Sequence, residues 1–163
     1  MPRVSLPVRV QPDTLLLLLG ALLPLLGVLG DPSGRLVGSE LGDVYKHAWS
    51  YWHTPHSLST WPWTESFNAP AGGFLWDVML APSLLLIPVT AILGPALTSN
   101  LWVFGSLLLV GICSAGLARE LGAGRQESGV VGFLAQGAPY LYGYPLTSGV
   151  HERLGIWIFP LLI

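Results

Sequence analysis

The sequence predicts an all-α fold: a polytopic transmembrane helix bundle whose outer loop carries an interfacial amphipathic helix. Three observations lead there. Charged residues make up 10% of the 163-residue chain and hydrophobic ones 52%, against roughly 25% charged in soluble domains, so polar side chains cannot cover an ordinary globular surface. The apolar residues are gathered into long Leu-rich runs, and a lipid-embedded backbone satisfies its hydrogen bonds only as helices or a closed barrel. Between the first two runs lies a water-facing segment, 31–77, which holds five of the seven tryptophans and five of the nine acidic residues.

The first span is expected over 14–30, a leucine run interrupted by Gly20, Pro24 and Gly27, preceded by Arg3 and Arg9 and stopped by Pro32 and Gly34. A signal peptide is the competing reading of this run, with Val28-Leu29-Gly30 as a small-residue cleavage site. Basic residues held in the cytoplasm would place the loop 31–77 on the outer face. The second span, 78–97, contains Pro82, Pro88 and Pro95, which bend a helix unless neighbours accept the freed carbonyls. The third, 101–118, carries Gly105, Gly111, Ala115 and Gly116, small residues that let helices approach closely. A polar segment, 119–127, precedes a fourth span over 129–144. A fifth begins near Leu154 and stops at Ile163, short of the ~20 residues that cross a hydrocarbon core, so the chain reads as one transmembrane domain that is truncated.

One conflict concerns Arg119 and Arg125. Simple alternation from a cytoplasmic amino terminus puts them outside, whereas the positive-inside tendency puts them inside. A re-entrant second stretch, or a different reading of the first, would reconcile the two.

The formal net charge of −2 and the lack of any block of like charge exclude a nucleic-acid partner. The single cysteine, Cys113, excludes a disulfide framework and sits in an apolar run as a small packing residue. No phosphate-cradling glycine loop, His-Glu-x-x-His or Gly-x-Ser-x-Gly motif is present, so a soluble nucleotide-using site is unsupported.

Ionisable groups are expensive inside a bilayer, which directs the search for chemistry to the loop. Read as a helix, 42–52 places Asp43, Lys46, His47 and Ser50 on one face and Tyr45, Ala48, Trp49 and Trp52 on the other. Such a helix would lie in the interface with its aromatics toward lipid and its polar groups toward water or a cavity. Asp43 is the candidate catalytic residue, a general base for an attacking hydroxyl. The structural alternatives for it are a helix cap beside Gly42 or a solvated pair with Lys46 or His47. Lys46, His47, Glu65, His151 and Arg153 are the candidate substrate-binding residues. Asp77, at the mouth of the second span, reads as a boundary residue. Asp43, His47, His53 and His56 match no defined zinc pattern, so no metal or other cofactor is expected.

Gly42-Asp43 followed by Ala48-Trp49-Ser50-Tyr51-Trp52, then Phe67-Asn68-Ala69-Pro70-Ala71-Gly72 and an apolar run, resembles the amino-terminal part of bacterial multi-spanning glycosyltransferases of the GT-C fold. Leu117-Ala118-Arg119-Glu120-Leu121-Gly122 resembles that family's Leu-Ala-Arg-Arg-Leu-Gly junction, with Glu120 in place of the second arginine. Pro139-Tyr140, His151 and Pro160 are similar to its Ser-Pro-Tyr, Gly-His and Trp-x-Pro-Leu positions, with Ala138 where serine is customary and Val150 between Gly149 and His151. The resemblance implies a multi-pass protein of the bacterial cytoplasmic (inner) membrane that transfers a sugar from a polyprenyl-phosphate-linked donor to an acceptor on the outer face. Asp43 matches the acidic residue of the first outer loop, which acts in that family as base or metal ligand, and Arg153 or Lys46 would supply positive charge for the departing phosphate. The partners implied are the lipid bilayer and the lipid-linked sugar donor; no oligomeric state is specified. A transporter or channel subunit is the second hypothesis, and a non-catalytic membrane scaffold the third. Transporters place ionisable groups at the midplane, whereas the second and third apolar stretches contain none.

Overall fold

The computed structural model describes residues 12–39, 43–60, 63–65, 71, 73–74 and 80–138. These form α1 (Pro12–Leu22) with a 3-10 turn over Leu23–Leu25, α2 (Val44–His56), two short strands β1 (Trp63–Thr64) and β2 (Gly73–Phe74), then α3 (Leu80–Leu85), α4 (Ile87–Leu93), α5 (Pro95–Glu120) and α6 (Arg125–Gln136). The helical class expected from the sequence holds. The strands are antiparallel, with Trp63 opposite Phe74 and Thr64 opposite Gly73.

Among the described residues one helix, α5, is long and apolar enough to cross a membrane. Its 26 residues rise about 39 Å at 1.5 Å per residue, against a hydrocarbon core of ~30 Å. The expected first span is shorter as an α-helix. Pro24 has no N–H to donate, and from Leu23 onward the run continues through i→i+3 bonds, Leu26 to Leu23 at 3.3 Å and Val28 to Leu25 at 2.9 Å. The stretch expected as a second span is divided among α3, α4 and the start of α5. Gly94, at φ 79°, supplies the left-handed residue that separates α4 from α5. Of the expected fourth span, residues up to 138 are described and α6 ends at Gln136. The fifth lies outside the described residues.

The core is a three-helix bundle in which α5 runs antiparallel to α1 and α6. Its ladder is read from end to end. At one end Asp13 accepts from both Arg119 Nη2 and Arg125 Nε at 3.0 Å. Next, Gly132 lies so close to α5 and α1 that an added Cβ would stand 2.5 Å from the Gly111 carbonyl oxygen and 2.6 Å from Leu17 Cδ2. Further along, the fully buried Gln136 donates to the carbonyls of Leu17 at 2.9 Å and Leu107 at 3.1 Å. Its side chain occupies the room left by Gly20 and Gly111. At the opposite end Ala21, Leu25, Val28 and Val37 pack with Val103, Leu107 and Val110. Of the four small residues expected to permit close approach in α5, Gly111 and Ala115 lie in this contact, whereas Gly105 and Gly116 border open space.

That end also anchors the loop. Asn100, 1% exposed, donates to the carbonyls of Pro32 at 2.8 Å and Arg35 at 2.7 Å and accepts the Val37 N–H at 3.0 Å. The chain therefore leaves α1 and enters α5 at the same end of the bundle. Arg119 and Arg125 consequently share the end where α1 begins. Helix α2 packs on the first part of this layer, touching α3, α4 and α5.

Candidate functional site

Helix α2 forms where the amphipathic spacing places it, and it presents its polar face to the protein. His47, Ser50 and Thr54 are fully buried, and Tyr51 and Val44 complete that face. Ser50 and Thr54 hydroxyls are satisfied within the helix, donating to the carbonyls of His47 at 2.7 Å and Ser50 at 2.8 Å. Tyr45 and Trp52, 57% and 47% exposed, point the other way. His47 is fully buried in the face of α2 that is turned toward the protein.

Asp43 stands at the start of α2, its side chain 49% exposed, and accepts from Lys46 Nζ at 3.2 Å. It makes no side-chain cap of the helix; its backbone carbonyl takes the His47 N–H at 3.1 Å. An exposed pair of this kind contributes about 0–1 kcal/mol, so stability alone gives the carboxylate little reason to be there. Val44 and Tyr45, the two residues after Asp43, line a cleft of about 410 Å³ together with Val28, Arg35 and Leu36. Arg35 is exposed. Its carbonyl is held by Asn100, and the preceding turn is closed by Asp31, which accepts the Gly34 N–H at 3.0 Å. The backbone of Arg35 is thus fixed on both sides. This cleft, with Arg35 in its wall and Asp43 one residue before Val44, is the first candidate site.

A second cavity, about 540 Å³, lies at the other end of α2 and is lined by His53, Ser57, Thr60, Trp63, Thr64 and Glu65. Glu65 belongs here, exposed at the end of β1, and not beside Asp43. His53 is 5% exposed and stacks on Trp49, ring centroids 4.3 Å apart and 14° from parallel. Its Nδ1 lies 3.4 Å from the Ser57 hydroxyl, and its Nε2 has no partner among the described residues. Desolvation, with the neighbouring His56 charge, holds the imidazole below the ordinary histidine range, so it is neutral at pH 7.

His151, Arg153 and Asp77 lie outside the described residues. Among the described residues no group of three His, Cys, Asp or Glu comes together in a way that would hold a metal ion. Arg35 and His53 were not among the sequence-derived site residues. The signals that point to them are local: the Pro32-Ser33-Gly34 turn that presents Arg35, and the four-residue spacing of Trp49, His53 and Ser57 on one helix stripe. No family profile, curated protein or solved structure matches the chain.

Proposed function

We propose that this chain is the amino-terminal part of a multi-pass membrane glycosyltransferase of the GT-C type, which transfers a sugar from a polyprenyl-phosphate-linked donor to an acceptor at the outer face of a bacterial cytoplasmic membrane. The observation that carries the reading is a cleft of about 410 Å³ lined by Arg35 and by Val44 and Tyr45, the residues that directly follow the half-exposed carboxylate of Asp43. The length and composition of α5 and the outward Tyr45 and Trp52 of α2, aromatics of the kind that settle at headgroup level, support a membrane setting for it.

In this reaction the acceptor hydroxyl gives its proton to the Asp43 carboxylate as its oxygen attacks the anomeric carbon. The bond from that carbon to the phosphate oxygen breaks, and the phosphate leaves with the electron pair, its charge met by Arg35. Lys46 Nζ donates to the Asp43 carboxylate at 3.2 Å and so helps to position it.

Replacing Asp43 with Asn in the full-length protein is expected to lower transfer from a polyprenyl-phosphate sugar by at least about 100-fold, the range of general-base loss, with membrane insertion unchanged. Arg35→Gln should lower the same rate while leaving Asp43 in place. Normal turnover by a correctly inserted Asp43→Asn variant would remove the base from the mechanism and leave a scaffold as the better reading.

A further inference from the structure

No charged side chain occurs from Val78 to Ala118, yet the helices before α5 are short. Even as one straight helix, Leu80–Leu93 would rise only ~21 Å, against the ~30 Å of hydrocarbon in a bilayer. Both flanks of this stretch lie at one end of the bundle. Asn100, near the start of α5, is bonded to Pro32, Arg35 and Val37, and Ala96 lines the same cleft as Gly34 and Arg35. A path that leaves and re-enters one end of the bundle crosses a membrane an even number of times or not at all. Helix α2, with Asp43 at its start and His56 at its end, is no partner for such a crossing, because ionisable groups are costly in lipid. Within α5, 101–118 is uncharged and rises ~27 Å, so the hydrocarbon begins near Asn100 and ends near Arg119. Helices α3 and α4 therefore stand at the loop-side boundary.

Their surface suits that level. Ser83 and Thr90 are buried, whereas Leu85 and Ile92 are 76% and 81% exposed, and α2 packs on both helices. Polypeptide enters lipid only with its backbone hydrogen bonds satisfied internally, and the bend between α3 and α4 keeps them. The Leu86 N–H donates to the Pro82 carbonyl at 2.9 Å, Thr90 to Leu86 at 2.8 Å and Gly94 to Thr90 at 2.9 Å; Pro88 has no N–H to leave bare. A protein-docking patch carries a polar rim, whereas Leu85 and Ile92 sit in uncharged chain that leads directly into α5.

We infer that α3 and α4 form a bent insert in the lipid leaflet on the side of α2, with Leu85 and Ile92 among the acyl chains and without crossing the membrane. The inference rests on the membrane setting proposed for α5 and not on sugar transfer. It leaves Arg119 and Arg125 on the side where α1 begins, so a cytoplasmic amino terminus and the positive-inside tendency agree.

Single cysteines in the full-length protein, with Cys113 and any other cysteine replaced by Ala, test this in two ways. Bimane is attached at Leu85→Cys, at Ile92→Cys and, as the reference within the crossing, at Leu109→Cys, and the protein is placed in phosphatidylcholine vesicles doped with spin-labelled lipid. Leu85 and Ile92 should lose fluorescence to a spin label carried near the headgroup and keep most of it with one near the chain terminus; Leu109 should show the reverse order. In spheroplasts, a membrane-impermeant maleimide should reach the exposed Ser59→Cys and the cleft-lining Ala96→Cys from one side of the membrane and the exposed Gln126→Cys from the other. Stronger quenching of Leu85 or Ile92 by the deep label, or reaction of Ala96→Cys from the side of Gln126→Cys, overturns the insert in favour of a crossing. Quenching at Leu109 with none at Leu85 and Ile92 overturns it in favour of a protein covering and leaves the membrane setting standing, whereas no quenching at any of the three removes both. Neither arm reads transfer, so a protein without transferase activity that passes both tests keeps the insert and loses only the proposed reaction.

Discussion

The α1–α5–α6 bundle and the layer around α2 handle buried polar groups in opposite ways. In the bundle three of them tie segments together: Asp13 joins the ends of α5 and α6, Asn100 fastens 32–37 to α5, and Gln136 bridges α1 and α5. Around α2 the buried hydroxyls of Ser50 and Thr54 bond within their own helix, while the more exposed Ser57, Thr60 and Glu65 border one cavity and Arg35 borders another. A buried polar group that is spent on a neighbouring backbone stabilises the fold and is unavailable to a ligand; one left beside a cavity contributes little to folding. The contrast separates framework from site without reference to any relative, and it can be broken by substitutions that should be severe in one region and mild in the other.

The largest effect belongs to Gly132. A methyl group there would meet the Gly111 carbonyl at 2.5 Å, a backbone atom that cannot rotate away, as well as Leu17 and Ala115. Gly132→Ala should therefore destabilise the protein by about 2–3 kcal/mol through overpacking. Gly105, in α5 with nothing within 4 Å of an added Cβ, is the control: Gly105→Ala should stabilise by up to about 1 kcal/mol through helix propensity. Thermal unfolding of both variants in the same detergent reads the difference. Equal melting temperatures would mean that α6 does not seat against α5 through Gly132.

Asn100 comes next. Truncation to Ala strands the Val37 N–H and the carbonyls of Pro32 and Arg35 in a region where Asn100 itself is 1% exposed. The expected loss is about 2–3 kcal/mol, since groups left unsatisfied carry their full desolvation cost. The same substitution loosens the turn that presents Arg35, so hydrogen exchange at 33–37 should accelerate more than exchange within α6. Uniform acceleration across both segments would show that Asn100 supports the whole bundle and not the cleft in particular.

The two regions also differ in how far sequence reasoning reaches. The helical class and the existence of α2 and α5 are legible because a continuous apolar run and a four-residue polar stripe are local patterns. The inward turn of the α2 polar face is not, since periodicity assigns Asp43, Lys46, His47 and Ser50 to a common face without fixing what covers it. The covering depends on α3, α4 and α5, which are distant in sequence. Proline positions announced a bend in 78–97, yet its division into α3 and α4 follows from Pro88, Gly94 and the return of the chain to the Asn100 end. Glu65 and His53 border a common cavity, a proximity with no counterpart in spacing. Asp13, Asn100 and Gln136 are single polar residues at the edges of apolar runs. Their partners are backbone atoms and arginines up to 119 positions away, so only their cost, not their role, could be read in advance.

Gln136 provides the smallest and most discriminating expectation. It looks like the equal of Asn100, a fully buried amide joining distant segments. The groups it serves, however, are the carbonyls of Leu17 and Leu107 within α1 and α5, and carbonyls inside an α-helix already accept the helix's own N–H bonds. Removing the amide leaves no backbone group stranded, and it also eliminates Oε1, which has no partner among the described residues. Met matches the length and flexibility of Gln and brings in no polar atom that needs a partner. Gln136→Met should therefore change stability by less than about 1 kcal/mol, while Asn100→Ala is severe. A loss at Gln136 as large as that at Asn100 would mean that the bundle relies on this amide for its register, and the division between framework and site would then have to be drawn by geometry and not by which backbone groups are left unpaired.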